Sequence, residues 1–184
     1  MGRLIVHNAV TVNGAFEAPD PGKWLVLDDD SSDASLDQLV LADAMVLGRK
    51  TYEGLAAAWP TLADDPVLGR YAGRINSMPK YVASRSLQEP LEWNATLLEG
   101  DLADSVRTLK EKHERNLIVS GCGELAHSLT THGLVDEFWF WVNPYLWPSG
   151  PRIFDGVGPV RLELAASTAF PSGVLWLRYR PATD

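Results

Sequence analysis

Four short segments carry residue types that can hold an anion, and each follows an apolar run read as a strand. They are Asn13-Gly14, Gly48-Arg49-Lys50-Thr51, Ser84-Arg85-Ser86 and Gly121-Cys122-Gly123. Two of them open a predicted helix, where free backbone N–H groups and the helix dipole favour negative charge. Two set an arginine beside small hydroxyl residues, and a planar guanidinium matches a phosphate in two-point contact. In an open α/β sheet, ligands bind beyond the carboxyl ends of the strands, so four such segments on that edge describe a site for a phosphorylated nucleotide. The Gly121 segment reads Gly-x-Gly-x-Leu, not the Gly-x-Gly-x-x-Gly dinucleotide fingerprint, and a tight turn alone accounts for its glycines equally well.

Other machinery is missing from the sequence. There is no nucleophile elbow, no His-Glu-x-x-His, no Walker-type loop and no Cys-x-x-Cys. His7, His113, His127 and His132 are scattered without ligand spacing, and His113 is expected at the surface end of an apolar helix stripe. Cys122 stands at a helix start, where a thiolate is favoured, yet a small residue packed in a turn is the simpler expectation. Asp28-Asp29-Asp30 lacks the alternating spacing of a cation loop, and no metal site is expected. A nucleotide site without an acid–base machine suits cofactor chemistry, in which a nicotinamide carries the hydride and the protein supplies position and electrostatics.

The elements that must position these segments read as alternating strands and helices. Strands are expected at Arg3–Val10, Ala44–Leu47, Lys80–Ala83, Thr96–Leu98, Leu117–Val119 and Phe138–Val142, with a short extended piece from Trp24 to Leu27. The aspartate run before Ser35 reads as a solvated turn, and Ser35 with Gln38 as a capping box opening a helix. Further helices are expected from Arg49 to Trp59, stopped by Pro60, over Pro66–Gly73, from an Asp101 cap, and over Glu124–His132 with Gly133 ending it. Leu162–Thr168 and Val174–Tyr179, separated by Pro171-Ser172-Gly173, form an antiparallel hairpin. The sum is an α/β fold of three layers, αβα, with a mostly parallel sheet covered on both faces.

With 184 residues and no composition break, one domain spanning 1–184 is expected. A net charge of −8 argues against a nucleic-acid or anionic-membrane partner, both of which want a basic face. A single cysteine rules out an internal disulfide and a cysteine-rich zinc centre, and fits a reducing cytoplasm. No signal peptide or membrane span is read.

The motifs resemble, in order, those of the dihydrofolate-reductase-like family. They are Thr11-Val12-Asn13-Gly14, Leu47-Gly48-Arg49-Lys50-Thr51-Tyr52-Glu53, Met78 to Leu87, Gly121-Cys122-Gly123-Glu124-Leu125 and Gly133-Leu134-Val135-Asp136-Glu137. The branch is similar to the C-terminal reductase domain of the bifunctional riboflavin-biosynthesis deaminase/reductase. That resemblance implies a central sheet of about eight strands and NADPH as hydride donor. It implies that Arg49, Lys50 and Thr51 meet cofactor phosphates, that Ser84 and Arg85, with Ser86, hold the adenosine 2′-phosphate, and that Gly121 to Leu125 hold pyrophosphate and ribose. Asn13-Gly14 would lie over the nicotinamide, and Phe16, Trp24 and Trp59 would wall the substrate pocket. The family usually has Asp where Asn13 stands and Leu-Gly-x-Gly where Trp147-Pro148-Ser149-Gly150 stands. Asp37 is the candidate for a substrate-binding helix carboxylate by helix position alone.

The expected activity is therefore hydride transfer from NADPH to a small pterin- or pyrimidine-like substrate, resembling 5-amino-6-(5-phosphoribosylamino)uracil reductase or dihydrofolate reductase. With Asn13 unable to supply a proton, water, Glu17 or Asp20 is the candidate donor. The rival expectation is a nucleotide-binding module on the same fold without turnover. Trp139, Trp141 and Trp147 cluster with Phe138, Phe140 and Tyr145 as core or as an interface, and the resemblance implies a homodimer.

Overall fold

A computed structural model describes residues 1–16, 23–26, 28–121 and 123–182. It is a three-layer α/β fold whose eight strands form one sheet in the order β4-β3-β2-β5-β1-β6-β8-β7. The strands are β1 (Leu4–Thr11), β2 (Ala42–Gly48), β3 (Lys80–Ala83), β4 (Ala95–Leu97), β5 (Asn116–Ser120), β6 (Glu137–Asn143), β7 (Leu162–Ala169) and β8 (Leu175–Pro181). The helices are α1 (Asp29–Val40), α2 (Arg49–Ala58), α3 (Gly69–Ser77), α4 (Leu102–Lys112) and α5 (Glu124–Thr131). Backbone contacts divide the chain into two compact units, one of Met1–Leu4 with Ser35–Ser120, the other of Ile5–Ala34 with Gly121–Asp184.

In the first unit β4, β3, β2 and β5 run parallel. Strand β2 is a continuous apolar run because both of its faces are covered, and Ala44, Met45, Val46 and Leu47 are buried. Helix α3 contributes Ala72 and Ile75 to this core, and α4 contributes Val106 and Leu109. Asp101 caps α4 as expected, its carboxylate accepting the N–H groups of Ala103 and Asp104.

In the second unit β1 pairs parallel with β6, and β6, β8 and β7 continue antiparallel through the expected hairpin. Gly173, at φ +87°, makes the turn between β7 and β8 that a side chain would strain. The aromatic residues of β6 are core on both faces. Phe138 and Phe140 stack, and Phe154 meets each of them edge-on. On the other face Trp141 lies flat on Trp176 at 5.1 Å, while Trp139 meets Trp176 edge-on. Tyr145 is exposed.

Several expectations need correction. Helix α1 begins at Asp29, not after Ser35, so the aspartate run is its first turn and not a solvated loop. Asp28 caps it: its carboxylate accepts the N–H and the hydroxyl of Ser31, and Asp29 and Asp30 then face the positive end of the helix dipole. Burial raises the Asp28 pKa, but hydrogen bonds from Ser31, Ser172 and the Asp30 N–H outweigh it and leave the carboxyl below its ordinary value. Residues 23–26 form a turn and irregular chain where an extended piece is expected, and Leu27 lies outside the described residues. Helix α2 ends ahead of Pro60 as expected, with Trp59 as its C-cap, but Pro60 does not end helical geometry altogether. It sits in the first turn of a 3-10 segment, Trp59–Leu62, where a missing N–H costs nothing. The helix expected over Pro66–Gly73 runs instead from Gly69 to Ser77. His113 does end its stripe, as the C-cap of α4, but it is half-buried and not at the open surface, with a ring nitrogen 3.1 Å from the Tyr81 hydroxyl.

Candidate functional site

Register fixes the first half of the site. Gly48, the last residue of β2, pairs with Ala83, the last of β3, so Arg49 and Ser84 leave adjacent parallel strands side by side. Gly48 is also the N-cap of α2 in extended geometry and has no side chain to satisfy the first-turn N–H groups. Arg49 and Lys50 are exposed and Thr51 is half-buried. Across from them, Ser84 Oγ accepts the N–H groups of Ser86 and Leu87, both at 3.1 Å, and folds a tight turn that leaves Arg85 and Ser86 exposed. Among the described residues, Arg49, Lys50 and Arg85 have no hydrogen-bond or ion-pair partner. An uncapped helix start with three free cations beside it fits a ligand carrying several phosphate charges.

The second unit holds the other segments. Gly14, at φ +80°, turns the chain after β1, its N–H returning to Thr11 O. Both ends of the Asn13 amide are engaged in this turn. Its Oδ1 accepts from Thr11 Oγ1 at 2.9 Å and from Trp147 N at 3.0 Å, and its Nδ2 donates to Trp147 O at 2.8 Å. The amide thus ties the loop after β1 to the Trp147 loop after β6. Gly121, at φ +93°, closes β5, and Gly123 caps α5 with no side-chain bond to the first turn. A Cβ built on Gly123 would meet no atom within 4 Å, so space stands open above the helix start. Glu124 is exposed and Leu125 half-buried. Glu17, Asp20 and Cys122 lie outside the described residues.

The aromatic candidates separate between the units. Phe16 and Trp24 belong to the second, where Trp24 is buried and the neighbouring Val26 N–H is held by Asn143 Oδ1 at 2.8 Å. Trp59 and Asp37 belong to the first. Trp59 packs its ring on Tyr71 at 5.4 Å, and Asp37 is exposed on α1.

Two titratable groups away from these segments are held by the fold. Lys80, at the start of β3, is buried. Its ammonium donates to Asn76 O at 2.9 Å and stands 4.0 Å over the Trp93 ring, and burial pushes its pKa down to about 8. His7 on β1 accepts the Trp141 indole N–H at Nε2 over 3.0 Å, and burial lowers its pKa to about 4, which keeps the ring neutral. Among the described residues no group of three His, Cys, Asp or Glu is placed to hold a metal, and no helix is long and apolar enough to cross a membrane.

Residues 3–176 match the model of the RibD C-terminal domain. The chain belongs to that family. It is therefore a RibD-type reductase-like domain, and oxidoreductases are its family context. Solved structures agree on the fold. A putative riboflavin biosynthesis protein from Shewanella sp. PV-4 superposes with TM-score 0.76 at 19% identity, covering 98% of this chain and 99% of that one. A pyrimidine reductase-like protein from Corynebacterium diphtheriae gives TM-score 0.66 at 14% identity, covering 99% and 92%. A diaminohydroxyphosphoribosylaminopyrimidine deaminase/5-amino-6-(5-phosphoribosylamino)uracil reductase from Thermotoga maritima gives TM-score 0.69 at 16% identity. This RibD C-terminal domain covers 57% of that longer chain. Compared by sequence with curated proteins, it has no significant match.

The clamps on the loop after β3 are missed by sequence reasoning. They use Tyr52, Asn76 and Glu89, and the only local signal is the pairing of a carboxylate with a proline, Glu89-Pro90, in a stretch rich in turn-forming residues.

Proposed function

We propose that this domain is an NADPH-dependent reductase that reduces a small pyrimidine-like compound, of the kind handled by 5-amino-6-(5-phosphoribosylamino)uracil reductase, or a related pterin, in the cytoplasm and as a homodimer. The observation that carries the reading is the pairing of Gly48 with Ala83, which sets the uncapped start of α2 beside the Ser84–Ser86 turn with Arg49, Lys50 and Arg85 all unpaired among the described residues. Arg49, Lys50 and the α2 N–H groups receive cofactor phosphates, and Arg85 with the Ser86 hydroxyl receives the 2′-phosphate. Gly121, Gly123, Glu124 and Leu125 take pyrophosphate and ribose, with Gly123 giving the backbone an approach that no side chain blocks. A nicotinamide bound there supplies the hydride. Asn13 and Gly14 shape the loop beside the ring, and the proton comes from water or a loop carboxylate, because a carboxamide is no acid and that of Asn13 serves to tie Thr11 to Trp147.

That same engagement of Asn13 favours a second reading, a nucleotide-binding domain without turnover. Tryptophan quenching on titration with NADPH and NADH, followed by NADPH oxidation across a pyrimidine and pterin panel, separates them. Tight NADPH binding with turnover on one compound supports the reductase, and tight binding with none supports the silent domain. Absence of saturable binding by either nucleotide overturns both. Sedimentation at micromolar concentration tests the homodimer, and a monomer there rejects it.

A further inference from the structure

Strands β3 and β4 are parallel neighbours, Lys80 pairing with Ala95 and Val82 with Leu97. Such neighbours usually need a crossover of about a dozen residues or more, commonly built as a helix. Residues 84–94 make the return with no helix at all. The backbone therefore has no ladder of its own here, and side chains hold its course instead.

Glu89 is the central clamp. One of its carboxylate oxygens accepts the Leu91 N–H at 2.8 Å, and the other accepts the N–H of Leu97 on β4. Tyr52, on the helix that begins at Arg49, donates its hydroxyl to Glu92 O at 3.1 Å. At the far end Trp93 and Asn94 both take positive φ, 61° and 53°, which Asn tolerates but a bulky Trp holds only where its surroundings enforce it. The enforcement is visible: Trp93 Nε1 donates to Asn76 Oδ1 at 2.8 Å, and Asn94 Nδ2 donates to Ser77 O at 3.2 Å.

We infer that Glu89 and Tyr52 are positioning residues for the 2′-phosphate end of the cofactor, holding the loop that presents Arg85 and tying it to the helix that presents Arg49. This rests on the proposed NADPH reading. Neither side chain need touch the nucleotide. Their contribution is to keep two cation-bearing elements from separating, so that the phosphate meets a preformed pair and binding does not have to order the loop.

The test compares the parent protein with Glu89→Ala, Glu89→Gln, Tyr52→Phe and, as a control on the phosphate contact itself, Arg85→Ala. Glu89→Ala should weaken NADPH about tenfold while NADH moves less than about twofold, as expected for two lost hydrogen bonds transmitted to one subsite. Tyr52→Phe, which keeps the ring against Trp93, should weaken NADPH about threefold. Glu89→Gln keeps one acceptor and should fall between parent and Glu89→Ala, which guards against a variant that simply fails to fold. A second readout needs no nucleotide: tryptic cleavage after Arg85 should quicken in Glu89→Ala, with melting temperature little changed. Unchanged cleavage, or equal loss of NADPH and NADH, overturns the positioning role. If Arg85→Ala alone discriminates between the nucleotides, the phosphate assignment stands and the positioning role falls. If the parent shows no preference for NADPH, the phosphate assignment fails and the positioning role fails with it.

Discussion

The two ends of β3 treat positive charge in opposite ways. At its start Lys80 is buried, with its ammonium on a backbone carbonyl and over an indole ring. Just past its end Arg85 is exposed and, among the described residues, unpaired, as are Arg49 and Lys50 beside it. The chain has 24 acidic against 16 basic residues, so carboxylates are plentiful. Cations without a partner among the described residues of such a chain are not short of partners in composition. The register of β2 and β3 gathers them at one edge of the sheet. A charge held by the fold should show its effect in stability, and a charge left free should show it in binding.

Arg85→Ala gives the widest separation. NADPH should weaken about a hundredfold, the loss of a charge-assisted two-point contact, with NADH and the melting temperature nearly unchanged. A drop in melting temperature of several degrees would place Arg85 with Lys80 among the structural charges and break the comparison. His7 tests the groups held by the fold. Its folded pKa, about 4, lies below its unfolded value near 6.5, so between these values the unfolded chain binds more protons. Stability should be full above about pH 6.5 and should fall toward pH 4 by about 2 kcal/mol, somewhat less than the shift alone implies because the ring is only partly covered. Urea unfolding across pH 4–7 should show this slope in the parent and lose it in His7→Gln, which keeps an acceptor for Trp141. An unchanged slope in the variant would move the effect to another group.

How much of this is legible in the sequence follows from where the partners lie in the chain. Leu4–Val6, Leu117–Val119 and Phe138–Val142 are short apolar runs, and each lies within a strand because nothing distant contradicts the local pattern. The proposed cofactor segments are legible for the same reason: strand, glycine, helix and arginine are neighbours in sequence. The start of α1 is misread because three aspartates look solvated until Asp28 is seen to cap Ser31 and the next two to face the helix dipole. Asn13 is legible as a departure from the family's carboxylate, but its role is not, since its partner Trp147 is 134 residues away. The loop from 84 to 94 is opaque for a like reason, being held by Tyr52 and Asn76 from other elements.

Lys80→Met sharpens the contrast further. Removing a buried ammonium relieves its desolvation but also removes the Asn76 bond and the contact with Trp93, so the net change at pH 7 should be a loss of about 1 kcal/mol or less, with NADPH preference retained. The pH dependence is the cleaner sign. The folded pKa of about 8 lies below the unfolded 10.5, so the unfolded chain carries the extra proton between them, and parent stability should gain with rising pH across that window relative to Lys80→Met. A difference between parent and variant that is flat from about pH 8 to about pH 10 would mean that the ammonium is solvated after all.

The smallest effect is expected one residue beyond Arg85. Ser84 and Ser86 look alike in sequence, yet Ser84 Oγ already accepts two N–H groups of its own turn, and the Ser86 hydroxyl has no partner among the described residues. Ser84 therefore builds the turn and Ser86 is the hydroxyl free to meet a phosphate. Ser86→Ala should weaken NADPH about threefold without affecting NADH or stability, the size of one exposed hydrogen bond. Ser84→Ala should instead weaken NADPH and speed tryptic cleavage after Arg85 together. Were the two variants to exchange these signatures, the hydroxyl inside the turn would be the ligand contact, and a hydrogen bond within the fold would no longer distinguish a structural group from a binding one.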